Sequence, residues 1–214
     1  MISKNELSII IQGPLNEASL SNINNYKKYS SNIIISCWQT DDICTIQDSE
    51  ITVLRNKLPD LERVKKHYAD QSANHYYQLY STHRGLALCD TSYTLKVRSD
   101  EYYSNIAPLL TTLNQNINDV VTVDWVNTKV LSDHILLAST NLLRKSFSYL
   151  VYEYLKDEVP TYMLRDSLAP SIEEIIAQTL INFSETNLTF PVVKVDDLGS
   201  IRCVWNHRNI VYTK

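Results

Sequence analysis

The sequence predicts an α/β fold, with a mostly parallel central sheet flanked by helices. Three observations point to it. Short apolar runs rich in β-branched residues recur along the chain, the pattern of strands buried on both faces. Stretches of helical character separate the first three of these runs, which is the opening of a parallel sheet with helices on its faces. At 44% hydrophobic and 21% charged over 214 residues, the chain also has the apolar material for a sizeable core and is not a disordered one. No repeat, low-complexity run or linker divides it, so residues 1–214 read as a single domain.

The elements follow in order. Leu7–Gln12 is the first buried strand, stopped by Gly13-Pro14. Asn22–Tyr29 reads as helix, Asn32–Trp38 as the second strand, and Asp41 and Asp42 as the start of a short helix. Ile51–Leu54 is the third strand and ends in Arg55-Asn56. Lys57–Asp70 reads as a loop or short helix, followed by a long helix over Ser72–Cys89. Tyr93–Arg98 is a strand that runs into an acidic turn. Ile106–Leu113 is helical, Asp119–Trp125 a strand, Ile135–Ala138 a short strand and Asn141–Leu155 an amphipathic helix. After a loop at Pro160–Leu168, Pro170–Ile176 opens another helix, because proline at the start and acids in the first turn are helix-start signals. Val192–Val195 is a late strand, and the tail carries Arg202–Arg208.

Composition removes several functions. A net charge of −4 argues against a nucleic-acid partner, which usually meets a basic face. Gly13, Gly85 and Gly199 are the only glycines, too few and too scattered for a P-loop or a GxGxxG turn. The four cysteines show no C-x-x-C pair, so neither zinc nor redox chemistry is indicated, and free thiols in a reducing compartment are expected. Met1–Leu7 lacks the apolar core of a signal peptide, and no 18-residue apolar run offers a membrane span. The expectation is a cytoplasmic protein. Its one small candidate contact for the inner face of the plasma membrane is Tyr26-Lys27-Lys28-Tyr29.

The chemistry concentrates at Tyr93–Tyr103. Leu95 and Val97 point one way, and Lys96, Arg98 and Asp100 the other. Charges on one face of a central strand are costly to bury without partners. Open α/β sheets bind ligands at this end of their strands. The plain alternative is that Asp100 caps a following helix. Just upstream, Asn74, Gln78, Ser81 and Gly85 share one helical face. Such a stripe is usually solvated, but amides and a hydroxyl also suit a polar ligand.

Five short motifs in order resemble the WavE-type lipopolysaccharide-synthesis family. They are Gln12-Gly13-Pro14; Ile34-Ile35-Ser36-Cys37-Trp38; Asn74 with Gln78, Ser81-Thr82 and Gly85-Leu86; Leu95-Lys96-Val97-Arg98-Ser99-Asp100; and Ser132-Asp133-His134. The likeness runs from about Ile9 to Ile176. Tyr77 stands where the family is expected to carry arginine, Cys37 replaces a threonine, and the family's Pro-Glu appears as Pro170-Ser171-Ile172-Glu173.

The resemblance implies a glycosyltransferase of the GT-A fold, with a Rossmann-like nucleotide-binding half. It would take a nucleoside-diphosphate sugar as donor and a glycan or lipid-linked acceptor. On this reading Asp100 holds Mn²⁺ or Mg²⁺ in an Arg98-Ser99-Asp100 variant of the usual Asp-x-Asp, and His207 in the tail is the second metal ligand. If Arg98 itself neutralises the diphosphate, metal dependence is weak. Gln12, Gly13, Pro14, Trp38, Asn74, Gln78, Lys96, Arg98 and Ser99 would meet the nucleotide or donor sugar, with Arg55 a weaker phosphate contact. The catalytic base would be Glu173 or Glu174, with Asp133 a rival. Each has an ordinary reading beside it: acids in a first turn complement the helix dipole, Trp38 suits a core, and His207 an exposed tail. Two other functions stay open, a sugar nucleotidyltransferase and a non-catalytic nucleotide- or glycan-binding module. The first normally has a Gly-rich opening loop, which Gln12-Gly13-Pro14 does not resemble.

Overall fold

A computed structural model of the chain describes residues 2–15, 23–41, 46, 50–60, 70–124, 131–155, 171–199, 201–205 and 208–212. Its main sheet is built from β1 (Leu7–Gln12), β2 (Asn32–Trp38), β3 (Ile51–Asn56), β4 (Tyr93–Arg98) and β7 (Ile135–Ser139), in the order β3-β2-β1-β4-β7. The first four are parallel and β7 is antiparallel to β4. A small sheet joins β5 (Glu101–Tyr103) to a hairpin of β9 (Ile201–Trp205) and β10 (Arg208–Tyr212), and β6 (Thr122–Val123) pairs with β8 (Val192–Val193).

Alternation along each strand sends side chains into two cores. Leu7, Ile9, Ile11, Ile33, Ile35, Leu95 and Val97 pack on one face with Leu109 and Leu113 of α2 (Ala107–Gln115). Ile10, Ile34 and Leu136 pack on the other against three helices: α1 (Asp70–Leu86), α3 (Thr140–Leu155) and α4 (Ile172–Phe183). With helices on both faces, the inner strands have no solvent side, which is why they read as unbroken apolar runs. Gly85 lets α1 lie close on the sheet: a Cβ there would fall 2.8 Å from Ile10 Cγ2.

The fold is the expected α/β class, with differences in detail. Asp100 is followed by β5, so the alternative in which it caps the next helix does not hold. The strand expected over Asp119–Trp125 is only Thr122–Val123 among the described residues. Of the helix expected at Asn22–Tyr29, residues 23–26 are helical and 27–29 are turns. The tail is a β-hairpin, with β9 running antiparallel beside β5. The loop at Pro160–Leu168 and Asp42 lie outside the described residues.

Candidate functional site

Parallel strands end together, so the C-terminal ends of β1, β2 and β4 open on one cavity of about 570 Å³. Gln12, Pro14, Trp38, Arg98, Ser99 and Asp100 reach it from the strand ends. Asn74, His75, Tyr77, Gln78 and Ser81 reach it from α1. Asp133, His134, Ile172 and Glu173 close the far side. The polar stripe on α1 therefore faces the site rather than open solvent.

Backbone geometry shapes the β1 end. Gly13 takes φ +114°, a conformation that disfavours a Cβ, and a side chain there would fall 2.8 Å from Ser99 Oγ. Without one, the Ser99 hydroxyl donates to the Pro14 carbonyl at 2.7 Å and Ser99 N–H to the Gln12 carbonyl at 2.8 Å. The Ser81 hydroxyl donates to Gln12 Oε1 at 2.8 Å, fixing that buried amide. Asp41 Oδ2 accepts from Trp38 N–H at 2.9 Å and from Leu15 N–H at 3.1 Å, tying the ends of β1 and β2 together. Trp38 is buried and meets Tyr77 edge-on, with ring centroids 5.4 Å apart.

The acidic centre is densely bonded. Arg98 donates from Nε to Asp100 Oδ1 at 2.9 Å and from Nη2 to Oδ2 at 2.6 Å. Lys96 is fully buried beneath, with Nζ bonded to the Asp133 carbonyl. Burial drives its pKa down to about 8, although Asp133 and Glu101 oppose the fall. Gln78 Nε2 donates to Asp133 Oδ2. Burial would raise the Asp133 carboxyl, but Lys96, His134, Gln78 and Arg98 together hold it below the usual carboxylate range. His75 is lowered by burial, opposed by Asp133 and Glu173. The Thr122 hydroxyl lies 3.1 Å from the carbonyls of Ser132 and Ile135 and accepts from Ser132 N–H at 2.9 Å, which fixes the turn before β7.

Of the residues expected from sequence, the cavity gathers Gln12, Pro14, Trp38, Asn74, Gln78, Arg98, Ser99, Asp100, Asp133 and Glu173. Gly13 shapes it through its backbone, and Lys96 forms part of its buried floor. Arg55 is exposed and not among the cavity's lining residues; it donates to the carbonyls of Gln39 and Asp41. Glu174 closes a capping box: its carboxylate accepts from Ser171 N–H at 2.8 Å, and Ser171 Oγ accepts from Glu174 N–H at 3.3 Å. This uses the carboxylate at the helix start. His207 lies outside the described residues. Sequence reasoning missed the pairing of His134 with Glu101 and the presence of His75 in the site. The pair is separated by 33 residues, so no local spacing announces it.

Among the described residues no three His, Cys, Asp or Glu side chains gather as a ligand set for a metal, and no helix is long and apolar enough to cross a membrane.

The strand order and the cavity define a class, the GT-A-like glycosyltransferase fold. Crystal structures with this architecture include S. aureus TarS, at 10% identity, TM-score 0.53, and coverage of 89% of this chain and 35% of that one. A second is the S. aureus TarS 1-349 structure, at 11% identity, TM-score 0.52, with 88% and 58% covered. The apo-form glycosyltransferase GlyE of Streptococcus pneumoniae TIGR4 also matches, at 11% identity and TM-score 0.47, with 92% and 46% covered. This chain thus spans well under two thirds of the TarS chains, and at these identities the likeness is one of fold. No curated protein matches the sequence. The family model for WavE lipopolysaccharide synthesis matches residues 7–152, and the chain belongs to that family.

Proposed function

We propose that the chain transfers a sugar from a nucleoside-diphosphate sugar to a glycan or lipid-linked acceptor in lipopolysaccharide synthesis. The observation that carries this is the cavity of about 570 Å³ at the ends of three parallel strands, which brings an arginine, three carboxylates, three amides and an aromatic pair to one place. Gln12, Ser99 and the Trp38–Tyr77 pair form the nucleoside end. Asn74 and Gln78 offer amides to the ribose or donor sugar. Arg98, aligned by Asp100, faces the diphosphate and stabilises the charge that grows on it as the glycosidic bond breaks. Asp133 and Glu173 stand where the acceptor enters. The work belongs in the cytoplasm, with a lipid-linked acceptor met at the inner membrane face.

The Asp100 carboxylate suits a hard divalent cation shared with substrate phosphates. Among the described residues around the acidic centre, Asp100, Glu101, Asp133 and Glu173 face Lys96 and Arg98 as fixed cations, a formal surplus of two negative charges. Arg98 makes one bond to each Asp100 oxygen, and a carboxylate has about four lone-pair positions, so acceptor capacity remains. Mg²⁺ is commonly held by one or two carboxylates together with substrate phosphates, which needs no protein cage. Asp100 would hold Mn²⁺ or Mg²⁺, with His207 the expected second ligand. When bound, the ion supplies positive charge to the departing diphosphate.

Calorimetry with UDP, GDP, ADP, CDP and dTDP, with and without Mn²⁺, tests the reading. At least one nucleotide should bind, more tightly with the metal, and Asp100→Ala should remove the metal's effect. If none binds under either condition, the transferase reading fails. If Asp100→Ala keeps the full metal response, the role of Asp100 fails.

A further inference from the structure

We propose that His134, oriented by Glu101, is the base that takes the proton from the attacking hydroxyl. This rests on the transferase reading and adds a residue to it. Glu101 opens β5 with its side chain 1% exposed. The Tyr103 hydroxyl donates to its Oε2 at 2.8 Å, and His134 Nδ1 bonds to its Oε1. With the Glu101 carboxylate as acceptor, Nδ1 carries the hydrogen, and Nε2, turned to the opposite side of the ring, is the nitrogen that would take the proton. Asp133 Oδ1 lies 3.6 Å from Nε2. That is beyond hydrogen-bond reach yet close enough to stabilise the imidazolium once it forms. The ring lines the cavity.

Of the two carboxylates in the cavity's far wall, Asp133 is already engaged. Asp133 already accepts from Gln78 and is held in its charged form by Lys96. Among the described residues, the charged groups around His134 are Asp100, Glu101 and Arg98 from the β4–β5 segment, Lys96 below, Asp133 beside it, and His75 of α1 and Glu173 of α4 across the cavity.

The step balances as a single displacement. The hydroxyl proton passes to Nε2 as its oxygen bonds to the anomeric carbon. The bond from that carbon to the diphosphate oxygen breaks, and its electron pair leaves with the nucleoside diphosphate.

Hydrolysis of a panel of UDP-, GDP-, ADP-, CDP- and dTDP-sugars, with water as acceptor, tests the proposal without a known acceptor. His134→Ala should lose kcat by about 100-fold or more, with donor KM little changed. Added imidazole should restore part of the rate. His134→Gln, which keeps more of the packing, is read if the alanine variant does not fold. Glu101→Gln should lose rate with no imidazole rescue, since the ring is still present. A wild-type kcat in His134→Ala, or a loss that imidazole does not rescue, overturns the role of His134 alone. If the wild type hydrolyses no nucleotide sugar, the transferase reading falls and the base with it.

Discussion

Lys96 makes the sharpest test of the buried electrostatics. Its ammonium is fully buried between β1 and β7, in register with Ile10 and Leu136. Burial takes its pKa from 10.5 to about 8. Each pKa unit is worth about 1.4 kcal/mol, so keeping the ammonium charged in the fold costs roughly 3 kcal/mol near neutral pH. The sign follows from proton counts. Between pH 8 and 10.5 the unfolded lysine holds its proton and the folded one has released it, so stability rises with pH across that window. Lys96→Met, of similar volume and without charge, removes this dependence. Urea unfolding of both proteins at pH 7, 8.5 and 10 reads it. From pH 7 to 10 the wild type should gain about 2–3 kcal/mol relative to Lys96→Met. Asp133, held below the usual carboxylate range, titrates far from this window and does not mask the effect. A difference between the two proteins that stays flat from pH 7 to 10 would refute the argument that burial dominates at Lys96.

Two further substitutions test the local geometry. Gly13→Ala places a Cβ at φ +114° and 2.8 Å from Ser99 Oγ; it should cost about 1–3 kcal/mol of stability and weaken nucleoside-diphosphate binding about tenfold or more, read by urea unfolding and calorimetry, and wild-type values in both would remove the close approach from the account. Ser171→Ala should cost about 1 kcal/mol, Glu174→Ala somewhat less, and the double variant less than the two together, because they form one capping box. Full additivity in thermal unfolding would mean the two halves act separately.

The main-sheet strands were legible because burial on both faces is a local signal. Ile9-Ile10-Ile11 and Ile33-Ile34-Ile35 supply apolar side chains to both cores at once. Most of the cavity was legible for a related reason: if strands run parallel, whatever follows each one collects at the same end, and Gln12, Trp38 and Arg98 do so. The split between Glu173 and Glu174 was also within reach. Ser171-x-x-Glu174 spells a capping box, and Glu174 bonds back to Ser171 while Glu173 lines the cavity. What no local pattern carried was the direction of β7. It runs antiparallel to β4, with Val97 opposite Ile135, so its beginning lies at the end of β4. That reversal brings Asp133 and His134 beside Arg98, Asp100 and Glu101, and lets a histidine reach a carboxylate 33 residues away. Had β7 run parallel like its neighbours, Ser132-Asp133-His134 would have stood at the opposite edge of the sheet, far from the strand-end cavity. One antiparallel strand thus sets which acids and which base can share the site, and it does so through long-range pairing that the apolar stretch Ile135–Ala138 does not encode by itself.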